Sequence, residues 1–145
     1  MNLTIVGTGY VGLVTGACFA EFGYSVTCVD KDDKRLEMLK SGKCPFFEPG
    51  MDELLDKHIN KTKLISFEST IKNNLDNTDI IFITVGTPTR RLEDEADLSF
   101  VYQVAEEIAD SIKKYSLVVT KSTVPVGTTR EVKKIISNKI DQKLF

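Results

Sequence analysis

Short apolar segments alternate with longer amphipathic segments along almost the whole chain. The short segments are predicted strands, at residues 3–6, 25–29, 64–67, 79–85 and 117–120. The longer segments have helical periodicity, at residues 10–22, 32–40, 51–59, 69–74, 98–114 and 126–139. Because strands that alternate with helices form parallel sheets, this order predicts an α/β fold: one domain with a doubly wound, mostly parallel sheet and helices on both faces.

The composition argues against several classes of protein. The 19 Lys and Arg against 21 Asp and Glu give a net charge of −2, without the basic excess of a nucleic-acid-binding protein. No apolar run approaches the ~18 residues of a membrane span, and the first residues do not resemble a signal peptide, so no membrane partner is expected. Three cysteines without a C-x-x-C pair and a single histidine, His58, argue against a disulfide framework or a metal site and favour a cytoplasmic protein. His58 lies on the polar side of a short predicted helix, where we expect it to be solvated.

Residues 7–12 have the pattern G-x-G-x-x-G, between the first predicted strand and the first predicted helix. In a dinucleotide-binding turn the first glycine allows a sharp bend, the second lets a pyrophosphate approach the backbone, and the third lets the helix pack on the strand. Free amides and the helix dipole then face the phosphates. The pattern predicts a Rossmann-type fold with cofactor contacts at Gly7, Thr8, Gly9, Tyr10, Val11 and Gly12. The alternative is a glycine turn that serves packing alone.

An acidic residue, Asp30, ends the second predicted strand about 20 residues after the glycine turn. A carboxylate at this place accepts hydrogen bonds from a ribose diol and repels a 2′-phosphate, which favours NAD over NADP. The neighbouring cations Lys31 and Arg35 could weaken that discrimination. The alternative role for Asp30 is that of a cap for the following helix.

Four blocks of the sequence together resemble a known family. They are Gly7–Val14, Phe47–Gly50, Val85–Thr89 and Lys121–Thr128. In this order and spacing the chain is similar to the N-terminal NAD-binding domain of the UDP-glucose/GDP-mannose dehydrogenase family. The resemblance implies an enzyme that oxidises the primary alcohol of a nucleotide sugar, such as a UDP-sugar, to a carboxylate with two NAD, through an adduct on a cysteine.

The resemblance also implies further contacts with NAD, after the fourth and fifth strands. They are Arg35, Val85, Gly86, Thr87, Pro88, Ser122 and Thr123. Thr123 matches a family threonine whose hydroxyl holds a catalytic water near the nicotinamide, so it is the predicted catalytic residue. Judged from the residues alone, Thr87 and Pro88 also suit an ordinary strand-ending turn, and Ser122 and Thr123 suit a helix cap.

Two departures from the family pattern affect these expectations. Glu95 stands where the family usually has a glycine, in the loop at residues 90–97. The family's cysteine nucleophile, its sugar-nucleotide region and the central helix through which its members dimerise all correspond to sequence beyond residue 145. We therefore expect a fragment of a longer, homodimeric enzyme, which is inactive alone. Judged from the residues alone, the apolar residues 143–145 suit either the start of another strand or a frayed tail.

The cysteines of this chain do not replace that nucleophile. Cys18 and Cys28 fall in a predicted helix and strand, where we expect them in the core, and Cys44 has no base partner recognisable in the sequence. Two other classes of function stay open at this point. One is a stand-alone NAD-binding regulatory module, and the other is a different Rossmann-type dehydrogenase.

Overall fold

The computed structural model describes residues 1–72, 74–89 and 96–140. Within these ranges one sheet contains five strands: β1 (Asn2–Val6), β2 (Ser25–Val29), β3 (Ile65–Glu68), β4 (Ile80–Ile83) and β5 (Leu117–Thr120). Their order across the sheet is β3-β2-β1-β4-β5, and each neighbouring pair is parallel. The predicted Rossmann-type α/β fold is confirmed, with the first strand at the centre.

The helices of the described residues connect these strands. They are α1 (Tyr10–Glu21), α2 (Asp33–Lys40), α3 (Met51–Asp56), α4 (Ser99–Ser111) and α5 (Thr128–Lys139), and α3 continues into a π-helical turn at Lys57–Lys61. Local interactions determine where several of these helices begin. The side chain of Asp32 accepts a hydrogen bond from the amide of Arg35 and caps α2. Gly50 and Gly127, with φ of +80° and +98°, supply the left-handed residue before α3 and α5.

The sheet is covered on both faces, as a doubly wound fold requires. Leu3 and Ile5 of β1 pack on one face with the apolar sides of α1, α2 and α3. Val6 lies on the other face with Ile81 and Ile83 of β4, among side chains of α4 and α5. Because successive side chains of a strand point to opposite faces, β1 contributes to both cores and holds the two layers together.

The predicted helix at residues 69–74 is wrong: residues 69–72 and 74 form bends and turns, and residue 73 lies outside the described ranges. Here the chain crosses from β3, at one edge of the sheet, to β4, and it buries Ile71 and Leu75 on the way. The hydroxyl of Thr70 accepts from the amide of Lys72, and the side chain of Asn74 donates to the carbonyl of Thr70. Such local bonds compete with helix formation.

Two predictions of exposure are also wrong. His58 is only 2% exposed, because the π-helical turn directs its ring between Glu21 Oε2, at 2.7 Å, and Thr62 Oγ1, at 2.9 Å. Cys18 is exposed rather than buried, because α1 packs through its small-residue side and Cys18 lies off that side. Cys28 does lie in the core, as expected, and burial raises its thiol pKa to about 12.

Some predictions concern residues outside the described ranges. The position of Glu95 within the loop and the possible strand at residues 143–145 belong to this group. None of the helices in the described part of the chain has the length and apolar character needed to span a membrane.

Candidate dinucleotide-binding site

A cleft of about 570 Å³ lies at the end of the sheet that is formed by the carboxyl ends of the parallel strands. This is where open α/β sheets bind ligands. The predicted cofactor contacts that line it are Gly7, Gly9, Asp30, Arg35, Val85, Gly86 and Pro88. Across the residues described, no group of three His, Cys, Asp or Glu side chains is arranged to hold a metal ion.

The three glycines of the turn have different steric surroundings. Gly7 has φ of +101°, and a Cβ there would lie 2.9 Å from the carbonyl oxygen of Thr84. A Cβ on Gly12 would lie 1.8 Å from the carbonyl oxygen of Gly7, so only glycine lets α1 approach the turn this closely. A Cβ on Gly9 would meet nothing within 4 Å. The open side of the turn is therefore at Gly9, the glycine expected to face a pyrophosphate.

The amides of the turn divide into two groups. Those of Gly7 and Thr8 donate within the protein, to the carbonyl oxygen of Val29 at 2.8 Å and to Asp30 Oδ2 at 2.7 Å. The amides of residues 9–12, which begin α1, find no acceptor among the described residues, and no side chain caps the helix. Because unpaired amides and the helix dipole both favour negative charge, this end of α1 suits a phosphate group.

Asp30 is fixed by its neighbours and is 12% exposed. Its Oδ2 accepts from the Thr8 hydroxyl at 2.6 Å, as well as from the Thr8 amide, and from Arg35 Nη1 at 3.2 Å. Its Oδ1 accepts from the amide of Asp32 at 3.0 Å. Burial by itself raises the pKa of Asp30, but the hydrogen bonds from Thr8 and Asp32 and the charge of Arg35 outweigh burial and lower it. Asp30 is therefore an ionised acceptor, and its Oδ1, which accepts one hydrogen bond against three for Oδ2, has more capacity for a ligand.

The loops after β4 and β5 are joined by two side-chain hydrogen bonds. Thr87 Oγ1 donates to the carbonyl oxygen of Thr123 at 2.9 Å. Ser122 Oγ donates to the carbonyl oxygen of Val85 at 2.7 Å. These hydroxyls hold the loops against each other and do not line the cleft. Thr123, the predicted catalytic residue, does not line the cleft either, and it is exposed at the junction of the two loops.

The other predicted contacts in the glycine turn lie beside the cleft. Thr8 is buried and orients Asp30, and Gly12 is buried against Gly7. Tyr10 and Val11 are about half exposed. The Tyr10 ring stacks on Phe46 at 4.3 Å between centroids, and its hydroxyl donates to the carbonyl oxygen of Phe47 at 2.8 Å. Tyr10 thereby joins the start of α1 to the turn at residues 47–50.

Several residues that line the cleft were missed from the sequence. They are Val6, Val29, Ser69, Thr70, Thr84, Phe100, Gln103, Val104 and Glu107, whereas Lys31, named from the sequence as a neighbour of Asp30, lines the cleft as well. Ser69 and Thr70 follow a strand, which was an available signal, because ligand contacts gather at carboxyl ends. Phe100, Gln103 and Glu107 have the spacing of one helix face, but nothing local indicates that this face of α4 borders the cleft.

The fold and the cleft together define a dinucleotide-binding domain of the Rossmann type. The sequence profile of the UDP-glucose/GDP-mannose dehydrogenase family, NAD binding domain, matches residues 1–144. The chain therefore belongs to this family, as the resemblance of its four blocks predicted, and NAD is the cofactor of the domain.

Individual relatives agree with this assignment. A UDP-glucose 6-dehydrogenase of Rhizobium meliloti is 50% identical over 136 residues, which are 94% of this chain and 31% of that enzyme. A UDP-glucose dehydrogenase structure from Pyrobaculum islandicum matches 95% of this chain with a TM-score of 0.88 and 33% identity, over 32% of its own length. A ternary complex of GDP-mannose dehydrogenase from Pseudomonas aeruginosa matches 95% of this chain with a TM-score of 0.90 and 32% identity, over 32% of its own length. The chain thus spans about a third of these relatives.

Proposed function

We propose that this chain binds NAD for a nucleotide-sugar dehydrogenase that oxidises UDP-glucose to UDP-glucuronate in two NAD-dependent steps. The observation that carries the proposal is a cleft that contains an open glycine and an ionised acid, with the unpaired amides of the helix start beside it. Gly9 supplies the first feature, Asp30 the second and the start of α1 the third. The choice of UDP-glucose is supported by the 50% identity to an enzyme named for that substrate.

The residues of the cleft have separate roles in this proposal. The amides from Gly9 to Gly12 bind the pyrophosphate, and Asp30 accepts hydrogen bonds from the adenosine ribose. In this proposal the joined loops at residues 85–88 and 122–123 border the nicotinamide end, and Thr123 is the residue whose hydroxyl holds a water there. When bound, NAD supplies the hydride acceptor, whereas the chain supplies binding and orientation.

In this proposal the nucleophilic cysteine lies outside this chain, because none of Cys18, Cys28 and Cys44 matches the family's nucleophile. Cys28 is fully buried, and a thiol with a pKa of about 12 does not form a thiolate near neutral pH. Burial, together with the carboxylates of Asp52 and Glu48, raises the pKa of Cys44. Contacts with the UDP-sugar, the dimer interface and a cytoplasmic location stay predictions for the longer enzyme.

Calorimetric titration of the chain with NAD, NADP and UDP-glucose tests the proposal. We expect NAD to bind weakly, NADP to bind more weakly still, and UDP-glucose not to bind. Asp30→Ala should weaken NAD binding by about tenfold or more, because the ribose loses a charged hydrogen-bond acceptor. The matched control is Asp33→Ala, which removes an exposed acid at the start of α2 away from the cleft.

Three outcomes would contradict the proposal. NAD binding that survives Asp30→Ala unchanged would refute the ribose assignment. A folded chain that binds no NAD would refute the site. Steady NADH production from UDP-glucose by the 145-residue chain alone would refute the location of the nucleophile.

The choice of sugar nucleotide is a separate question. A GDP-mannose or UDP-N-acetylhexosamine substrate is the alternative, and the GDP-mannose dehydrogenase relative has the same fold over this chain. Assays of a full-length enzyme with each sugar nucleotide would decide between them. A stand-alone regulatory module is favoured instead if the reading frame lacks a downstream glycine-rich block that contains a cysteine.

A further inference from the structure

Two cations stand beside the position proposed for the adenosine ribose. Lys31 and Arg35 line the same cleft as Asp30. Cations near this acid are the groups that would accommodate the 2′-phosphate of NADP. A site that selects NAD must therefore keep Lys31 and Arg35 from binding a 2′-phosphate.

Both cations are already paired with carboxylates in the structure. Arg35 Nη1 lies 3.2 Å from Asp30 Oδ2, and Arg35 Nη2 lies 3.9 Å from Asp32 Oδ2. Lys31 Nζ lies 2.6 Å from Glu107 Oε1. The two pairs of Arg35 are local, since Asp30 and Asp32 lie within five residues of it. The Lys31–Glu107 pair joins residues 76 positions apart.

The Lys31–Glu107 pair lies in the wall of the cleft, because both residues line it. Glu107 lies on α4, on the face that also brings Phe100 and Gln103 to the cleft. Its side chain is 32% exposed and that of Lys31 is 61% exposed, so the ammonium group has room to leave the pair. Without Glu107, nothing else in the described cleft holds Lys31 away from a phosphate on the neighbouring ribose.

We propose that Glu107 is a positioning residue that gives the site its selectivity for NAD over NADP, by holding Lys31 on α4. This inference rests on the proposed function, because it assumes that the ribose binds at Asp30. Selectivity then has two sources. Asp30 repels a 2′-phosphate, and Glu107 withholds the cation that would attract one.

The test compares NAD and NADP binding to Glu107→Gln by calorimetry at low salt. We expect the affinity for NADP to rise by about fivefold, the effect of one added charge pair near a solvent-exposed site. The affinity for NAD should change by less than about twofold, since NAD has no 2′-phosphate. The gain for NADP should shrink at high salt, because exposed charge pairs are screened.

A second substitution shows whether the effect passes through Lys31. In Glu107→Gln combined with Lys31→Ala, the gain for NADP should disappear. The matched control is Glu106→Gln, which removes the same charge one residue earlier, where the carboxylate faces Lys139 at 4.0 Å. This control should leave both affinities unchanged, and thermal unfolding should show that every variant is folded.

The outcomes separate this inference from the proposed function. If NAD binds but Glu107→Gln leaves NADP affinity unchanged, or if the gain persists without Lys31, the role of Glu107 is overturned. A loss of NAD affinity in Glu107→Gln also overturns it, because Glu107 would then contact the nucleotide directly. If the unchanged chain binds neither nucleotide, the proposed function fails, and this inference fails with it.

Discussion

Gly9 and Gly12 belong to one turn but satisfy opposite steric requirements. A side chain at Gly12 would collide with the backbone of Gly7 and with the hydroxyl of Thr84, whereas a side chain at Gly9 would enter open space. Gly12 is needed for packing, whereas Gly9 is needed only if a ligand approaches. Substitutions at the two positions can therefore separate stability from binding.

We predict that Gly12→Ala lowers the free energy of unfolding by about 3 kcal/mol, because a Cβ placed 1.8 Å from a carbonyl oxygen forces the helix away from the strand. Gly9→Ala should lower it by about 1 kcal/mol or less, the usual effect of alanine at a helix N-cap. It should weaken NAD binding by about tenfold, since its methyl group would meet the pyrophosphate. Urea unfolding and calorimetry measure the two effects. Equal losses of stability in both variants would contradict the distinction.

At the scale of an element, the π-helical turn after α3 determines the environment of His58. The ring is buried and joins Glu21, at the end of α1, to Thr62, just beyond the turn. The periodicity of an α-helix predicts His58 on the polar face of this segment instead. The extra residue of a π turn changes which side chains point inward, and the sequence has no strong local signal for it.

We predict that His58→Ala lowers the free energy of unfolding by about 2–4 kcal/mol, because it leaves a cavity and removes the hydrogen bond to Glu21 of α1 as well as the local one to Thr62. Lys57→Ala is the control, since Lys57 also pairs with Glu21 but is 45% exposed, and exposed pairs contribute little. Denaturant unfolding of both variants measures the difference. Similar stabilities for the two variants would show that His58 is not a structural link.

Most elements could be predicted from the sequence because their patterns are local. The bounds of β2 agree with the prediction, and α1 ends one residue before the predicted end. The failure at residues 69–74 has a different origin, because a crossing segment follows the surface of the sheet and its own side-chain bonds rather than a helical repeat.

At the scale of the whole molecule, the strand order brings together residues that are distant in sequence. The glycine turn and Asp30 were recognisable because their spacing is set by one βαβ unit. The orientation of the Thr87 and Ser122 hydroxyls was not, because each donates to a loop 36 or 37 residues away. The contribution of α4 to the cleft likewise depends on tertiary packing.

The three cysteines provide a measure of the integrity of the whole fold. We predict that a thiol reagent at pH 8 labels exposed Cys18 fastest and Cys44 more slowly, because burial raises the pKa of Cys44. Cys28 should react only when the chain unfolds, since it is 0% exposed within the sheet. Mass spectrometry of labelled peptides with and without denaturant identifies each site. Rapid labelling of Cys28 in the native protein would contradict this packing.

The close backbone contacts of the glycine turn have a consequence for ligand binding. Gly7 is held against Thr84, and Thr8 ties the turn to Asp30 through both its amide and its hydroxyl. A receptor that is already preorganised loses little conformational entropy when it captures its ligand. The entropic cost of forming the complex therefore falls on the flexible dinucleotide rather than on the polypeptide.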